Sequence, residues 1–224
     1  MKKSNPRIIL TLDQNELTTI TKNILEKVSC LEVRFDLLTK KFVETSLVQR
    51  LKLLGRPVIF TIRKQKDSSM HQIENIPEGT IFQVLENFNS QKNYLDIEMD
   101  SKSIFTDFRN NKFSTILSYH DFYKSISRKK MKSMIMKNCI PRKKQIFKFA
   151  VTPKNIEEVA CFLDDTQFLS KEYSLISIAM GELGIVSRIF GDHFGSKFTY
   201  CCLSSPKAPG QVSLKAMNNF RKEV

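Results

Sequence analysis

Short apolar stretches with the composition of β-strands recur along the whole chain, and stretches with helical spacing fill the gaps between them. The strand-like stretches are rich in β-branched and aromatic residues and are bounded by charged or turn-forming residues. They lie at residues 7–11, 30–35, 57–63, 94–98, 114–119, 145–151, 174–180 and 198–203. Helices are predicted at residues 15–27, 45–54, 80–88, 155–163 and 213–221.

The alternation of strands and helices indicates the fold class. Eight strands in 224 residues leave about 28 residues for each unit, enough for one strand, one helix and two loops. Alternation favours a parallel sheet, and eight units favour a closed barrel over an open sheet. No Gly/Ser-rich linker interrupts the pattern. We therefore predict a single α/β domain over residues 1–224, a (β/α)8 TIM barrel with compact helices and loops.

A barrel of this kind carries its active site at the carboxyl ends of the strands. Polar or functional residues occur there in every strand from the second to the seventh and in the loops that follow. They are Glu32, Arg34, Arg63, Asp96, Glu98, His120, Lys148, Met180, Arg188 and Gln211. Glu32, Arg34 and Asp36 alternate along one strand and share one face, so they need mutual pairing or a polar ligand.

Lys148 is the most informative of these residues because it interrupts the apolar strand QIFKFAV. Burying an ammonium there is costly, unless the lysine snorkels or lies on an edge strand. His120 at a strand end and Arg188 near two glycines accompany it. Together they indicate amine-based covalent catalysis on an anionic carbonyl compound. The alternative for His120 is a structural histidine.

Composition limits the other function classes. The net charge is +13, with basic clusters at residues 128–132 and 142–144 that lack interleaved aromatics. We predict a solvated helix face or loop for these clusters and expect no nucleic acid as partner. No apolar run is long enough to span a bilayer and no signal peptide is visible, so we expect a cytoplasmic protein without membrane contact. Five cysteines without a CxxC motif or zinc spacing indicate reduced thiols and no metal.

Nine short motifs, in order along nearly the whole chain, resemble one enzyme family. They are EVRFD at 32–36, FTIR at 60–63, LDIE at 95–98, SYHDF at 118–122, KFA at 148–150, MG at 180–181, SR at 187–188, FGS at 194–196 and APGQ at 208–211. Through these nine motifs the chain resembles type I 3-dehydroquinate dehydratases. These enzymes are the Schiff-base lyases of the shikimate pathway, which leads to chorismate and the aromatic amino acids. The resemblance implies a (β/α)8 barrel, commonly a homodimer, that acts without a metal or organic cofactor.

The resemblance also implies roles for individual residues in converting 3-dehydroquinate to 3-dehydroshikimate. Lys148 would form the Schiff base and His120 would serve as general acid and base. Arg188 and Gln211 would bind the substrate carboxylate, and Glu32, with Arg34 and Arg63 nearby, would bind the ring hydroxyls. Asp96 and Glu98 would hold the arginines, whereas a structural ion pair is expected for Asp36.

Two positions depart from the family pattern. Relatives usually carry a Glu-Gly-Gly loop after the third strand, with its glutamate near the catalytic histidine, whereas this chain has Asp67 in that stretch and no glycines. Lys207 precedes APGQ where relatives have a serine. It is either a solvated lysine on a mobile loop or a cation beside the substrate carboxylate. Ser205 is the alternative source of the missing hydroxyl.

Three alternatives stay open from sequence. A class I aldolase barrel would share Lys148 but would not require His120, Arg188 and Gln211, and turnover of 3-dehydroquinate separates the two. A basic nucleic-acid-binding barrel would explain the charge and would show steeply salt-dependent binding. Some relatives are fused to a shikimate dehydrogenase, but this sequence has no GxGxxG motif. The chain is therefore either a stand-alone enzyme or one domain of a fusion.

Overall fold

The computed structural model describes residues 7–63, 68–99, 112–140 and 144–222, and these form a curled parallel sheet surrounded by helices. The strands are β1 Ile8–Leu12, β2 Cys30–Arg34, β3 Val58–Thr61, β4 Tyr94–Glu98, β5 Ser114–Asp121, β6 Gln145–Val151, β7 Leu175–Ala179, β8 Thr199–Cys202 and β9 Val212–Ser213. The helices are α1 Gln14–Thr19, α2 Lys22–Leu25, α3 Lys40–Phe42, α4 Val48–Leu54, α5 Glu78–Glu86, α6 Arg128–Asn138, α7 Ile156–Leu169, α8 Ile185–Phe190 and α9 Leu214–Lys222.

The strand order shows how the sheet closes. Neighbours run in the order β7-β6-β5-β4-β3-β2-β1-β8-β9, and all the described pairings are parallel. The two ends meet where Leu175 of β7 bridges to Ser196, just before β8. The amide of Lys197 donates to the Leu175 carbonyl at 2.7 Å, and the Ser196 hydroxyl accepts from the amide of Ser177 at 3.1 Å. The predicted (β/α)8 barrel is confirmed, with the short β9 as an unpredicted addition.

Three of the five predicted helices differ from the structure in length or continuity, and the helix prediction did not include α6 or α8. The predicted helix 15–27 is two helices, because Ile20 has extended geometry (ψ 137°) and interrupts it. Helix α7 continues to Leu169, beyond the predicted end at residue 163. The predicted helix 45–54 is longer at its start, where a π-helical turn, Val43–Leu47, joins α3 to α4. The basic cluster at 128–132 begins α6 and is largely exposed, as predicted, whereas the cluster at 142–144 lies mostly outside the described residues.

Two apolar layers fix the position of the site. Outward-facing strand residues pack against the helices in the main core, which explains why these strands read as nearly continuous apolar runs. A second, smaller cluster fills the inside of the barrel with isoleucines from several strands, among them Ile9, Ile59, Ile116, Ile146 and Ile176. This apolar floor closes the barrel below the polar residues at its mouth. No helix within the described ranges is long and apolar enough to cross a membrane.

Candidate active site

One cavity at the mouth of the barrel brings together most of the residues that the sequence singles out. It measures about 530 Å³, including the part open to solvent, a usual size for a small-molecule pocket. The predicted residues that line it are Glu32, Arg34, Arg63, His120, Lys148, Met180, Arg188, Lys207 and Gln211. The structure thus brings together side chains that lie up to 179 positions apart in the sequence.

Lys148 lies in the middle of β6 with its ammonium inside the barrel and only 5% of its surface exposed. Its Nζ is 3.1 Å from Oδ2 of Asp96 and 4.4 Å from the centre of the Tyr200 ring. Burial lowers the pKa of Lys148, the charge of Asp96 opposes that shift, and the nearby Arg63 lowers the pKa further. The net result is a lowered pKa, which favours the neutral, nucleophilic amine.

Asp96 connects the buried cations of the site. Its Oδ2 accepts from Lys148 and from Nη2 of Arg63, both at 3.1 Å, and its Oδ1 accepts from the Ser118 hydroxyl at 2.5 Å. Burial alone would raise the pKa of Asp96, but the charges of Arg63, Lys148 and His120 outweigh burial and hold it well below its usual range. Asp96 is therefore a permanent carboxylate at neutral pH, fixing the positions of Lys148 and Arg63.

His120 is held by a carboxylate from the neighbouring strand. Its Nδ1 lies 2.8 Å from Oε1 of Glu98, and Arg63 forms an ion pair with the same oxygen. The imidazole stacks on Phe122 with an angle of 21° between the rings. Asp67, which the sequence offered as a partner for His120, lies outside the described residues. Among those described, Glu98 is therefore the carboxylate in contact with the histidine.

Arg188 differs from the other arginines of the cavity because it has no carboxylate partner among the described residues. It is 2% exposed, its Nη2 donates to the Pro209 carbonyl at 2.8 Å, and its Nε has no hydrogen-bond partner there. Burial lowers the pKa of Arg188 to about 10, so it stays charged at neutral pH. A buried cation without a counter-ion is costly, and an anionic ligand would remove that cost.

The polar residues of β2 have separate partners. Oε2 and Oε1 of Glu32 accept from the hydroxyls of Thr11 at 2.7 Å and Thr61 at 3.0 Å. Arg34 pairs with Asp36 through Nε at 3.2 Å and Nη2 at 2.5 Å, which is the structural ion pair expected for Asp36. Glu32, Arg34 and Arg63 line the same cavity, as expected. However, the guanidinium of Arg34 is paired with Asp36 and not with Glu32.

Lys207 is buried, and the sequence interpretation of it as a solvated lysine does not match its position. It is 2% exposed, and its Nζ lies 2.8 Å from Oδ2 of Asp13 and 3.3 Å from Oε2 of Glu16 at the start of α1. The solvated lysine is therefore wrong, and the ammonium is held by α1. The reason is the acidic first turn of α1, whose capping box fixes Asp13 and Glu16. Ser205 is exposed, binds Lys207 Nζ at 2.8 Å and does not line the cavity.

The segment 204–211, called the lid loop below, is fastened to the barrel at several points. Gln211 accepts from the Lys207 amide at 2.7 Å and donates to the Thr11 hydroxyl at 3.3 Å. The Lys207 carbonyl accepts from Nη1 of Arg34 at 3.3 Å. Gly210 has φ +67°, and a Cβ there would lie 2.3 Å from the Gly181 carbonyl oxygen, so glycine permits this close approach.

Sequence reasoning missed several residues of the cavity. Ser68 binds Arg34 at 2.7 Å, Ser69 contacts the Lys207 carbonyl at 3.4 Å, and Tyr200 of β8 lies beside Lys148. The two-residue alternation of β8 was the available signal for Tyr200, because it places that side chain inside the barrel. Among the described residues, no group of three or more His, Cys, Asp or Glu side chains is arranged to hold a metal ion.

Comparisons with known proteins agree on one family. The family model of type I 3-dehydroquinase matches residues 8–223. The 3-dehydroquinate dehydratase of Streptococcus pyogenes is 30% identical over 216 residues, which cover 93% of this chain and 90% of the relative. That of Streptococcus thermophilus is 27% identical, covering 96% of this chain and 95% of the relative.

Solved structures show the same fold. The 3-dehydroquinate dehydratase of Geobacillus kaustophilus superposes with a TM-score of 0.77 at 22% identity, covering 98% of this chain and 91% of that one. The Aquifex aeolicus enzyme gives a TM-score of 0.73 at 26% identity, covering 97% and 98%. The chain therefore belongs to the type I 3-dehydroquinase family and is an enzyme that dehydrates 3-dehydroquinate.

Proposed function

We propose that the chain dehydrates 3-dehydroquinate through a Schiff base on Lys148, with His120 as general acid and base. The observation that carries the proposal is the position of the Lys148 amine. It is buried at the centre of the barrel, its pKa is lowered by burial, and it opens into the same cavity as His120 and Arg188. A neutral amine can attack the ketone, and the resulting iminium is a stronger electron sink than the ketone.

Asp96 has two opposing effects on Lys148. Its hydrogen bond at 3.1 Å fixes the amine in the cavity, but its negative charge raises the lysine pKa. The buried Arg63 shares that carboxylate at 3.1 Å, so part of the charge is already neutralised. In this proposal Asp96 positions the amine and later stabilises the cationic iminium.

His120 is proposed to move the proton. Removal of the C2 proton beside the iminium and protonation of the departing C1 hydroxyl both need a group that titrates near neutrality, which histidine does. Glu98 at 2.8 Å from Nδ1 would fix the tautomer and orientation of the ring, with Nε2 as the reacting nitrogen. Glu98 would thus support His120 as the family's glutamate after the third strand is expected to do.

The remaining residues are proposed to bind the substrate. The planar guanidinium of Arg188 suits a carboxylate, and burial strengthens that interaction. Gln211 lines the same cavity from the lid loop, and Glu32, held by two threonine hydroxyls, can accept from a ring hydroxyl. Arg34 acts mainly through its ion pair with Asp36 and its bond to the lid loop.

The proposal is tested by trapping the iminium. The enzyme is incubated with 3-dehydroquinate, reduced with borohydride, digested and analysed by mass spectrometry. The expected result is added ligand mass on the peptide that contains Lys148, and no adduct in Lys148→Ala. Lys130→Ala on the outer helix α6 is the matched control and should keep both the adduct and turnover. An adduct on another lysine, or dehydration without any adduct, would refute the assignment.

A further inference from the structure

Tyr200 is the buried polar residue of the cavity that the proposed mechanism does not use. It lies in β8, is 4% exposed, and its hydroxyl has no hydrogen-bond partner among the described residues. A buried hydroxyl without a hydrogen-bond partner destabilises the folded protein. Such a cost is tolerated most readily where a ligand supplies the missing partner, and Tyr200 lines the cavity.

The ring of Tyr200 is directly beside the reacting amine. Nζ of Lys148 lies 4.4 Å from the ring centre, which is the geometry of a cation–π contact. Lys148 and Tyr200 line the same cavity, so both side chains are available to one small molecule bonded to the amine. The ring face favours a positive charge at the nitrogen, both in the ammonium and in the iminium.

The electrostatic surroundings keep this hydroxyl a donor. Burial raises the pKa of Tyr200 well above its ordinary value, and the negative charges of Glu32 and Asp96 raise it further, whereas Arg63 opposes them. The phenol is therefore protonated at any working pH and unsuited to giving up its proton. A hydrogen bond from a fixed, neutral donor in a water-poor site is a typical way to stabilise a developing oxyanion.

We propose that the Tyr200 hydroxyl donates a hydrogen bond to the ketone oxygen of the substrate while the Lys148 amine adds to the carbonyl carbon. In that step the amine lone pair forms the N–C bond, and the C–O π electrons move to the oxygen. A proton passes from the nitrogen to that oxygen, giving a carbinolamine. The oxygen then takes a second proton, from His120, and leaves as water as the C=N bond forms. Tyr200 loses no proton in this sequence.

This inference rests on the proposed Schiff-base function and adds a substrate-contacting residue to it. The test compares Tyr200→Phe, which removes only the hydroxyl, with wild type in rapid-quench experiments. Borohydride trapping gives the rate of iminium formation, and absorbance of the conjugated product gives kcat and KM. Tyr94→Phe is the matched control, because Tyr94 is a buried tyrosine of the same barrel interior that does not line the cavity.

The expected result is a loss of about 100-fold in the rate of iminium formation in Tyr200→Phe, at the lower end for one oxyanion donor. Tyr94→Phe should retain the wild-type rate. Tyr200→Leu removes the ring as well and should also lower the fraction of enzyme trapped as iminium at equilibrium.

A wild-type rate of iminium formation in Tyr200→Phe would overturn the inference. This holds even if KM changes, because a change in KM alone would mean that the hydroxyl contacts another part of the substrate. If wild type forms no adduct on Lys148, the proposed function itself fails. The two failures are therefore distinguishable.

Discussion

Replacing Lys207 by methionine should destabilise the protein and loosen the lid loop, because it leaves two carboxylates without their cation. Nζ of Lys207 lies 2.8 Å from Asp13 and 3.3 Å from Glu16, and the lysine is 2% exposed. Breaking a fully buried ion pair costs about 3–5 kcal/mol. Since the side chain of Asp13 is 30% exposed and that of Glu16 only 7%, the cost is discounted for solvent, and we expect about 2–3 kcal/mol, at or below the lower end of that range.

A loss of this size corresponds to a fall in melting temperature of roughly 5–10 °C for a domain of this length. Calorimetry measures it, and steady-state kinetics should show a higher KM with a smaller change in kcat, because Lys207 acts on the lid loop and not on the reacting atoms. The control is the triple variant Lys207→Met, Asp13→Asn, Glu16→Gln, which removes the cation and both charges together. It should recover part of the stability, since no charge is left unpaired.

The contribution of the Lys207–Asp13 ion pair to stability depends on pH in a defined direction. Burial tends to raise the pKa of Asp13, but its hydrogen bond and charge contact with Lys207, with backbone hydrogen bonds, leave it lowered. Asp13 therefore stabilises the folded state above its unfolded pKa of about 3.9, and that contribution is lost as pH falls through its lower folded pKa. The stability difference between wild type and Lys207→Met should shrink in acid. An unchanged melting temperature and KM in Lys207→Met at pH 7 would refute the reasoning.

Three further predictions concern the cavity. Arg188→Met should raise KM and yet raise the melting temperature of the ligand-free enzyme, because it removes a buried cation that has no carboxylate partner among the described residues; a lower melting temperature would argue against a binding role. In Asp96→Asn, the pH at which kcat/KM rises with deprotonation of Lys148 should be lower, because Asp96 raises the pKa of Lys148 whereas burial and Arg63 lower it. A shift of that rise to higher pH would contradict this reasoning. Glu98→Gln should lower kcat by roughly 10- to 100-fold while the borohydride adduct persists, since Glu98 orients His120 and does not contact the amine; wild-type kcat would exclude that role.

The fold was predictable because each strand is a short, mostly apolar run that is followed by a helix or loop of limited length. All eight predicted strands agree with the structure to within two residues at either end. The errors occur where tertiary contacts override local pattern. The break at Ile20 divides a segment with continuous helical spacing, and β9 is only two residues long, Val212–Ser213. Neither feature has a signal in hydrophobic periodicity.

The candidate site was predictable as a set of residues but not as a set of partners. Motif order and strand ends identified Lys148, His120 and Arg188, and the structure places them around one cavity. The direction of the Lys207 side chain depends on Asp13, 194 positions earlier in the chain, and no local pattern encodes it. The homodimer and the link to a shikimate dehydrogenase stay predictions.

Charge pairing separates three arginines that look equivalent in the sequence. Arg34 is neutralised by Asp36, and Arg63 is neutralised by Asp96 and Glu98. Arg188 alone, among the arginines lining the described cavity, has no carboxylate beside it, although it is the most buried of the three. The anion that completes this pairing must come from outside the described residues, and the carboxylate of 3-dehydroquinate has the required charge and shape. Binding the substrate at Arg188 would thus remove an unfavourable charge from the free enzyme and set the ketone in reach of the Lys148 amine.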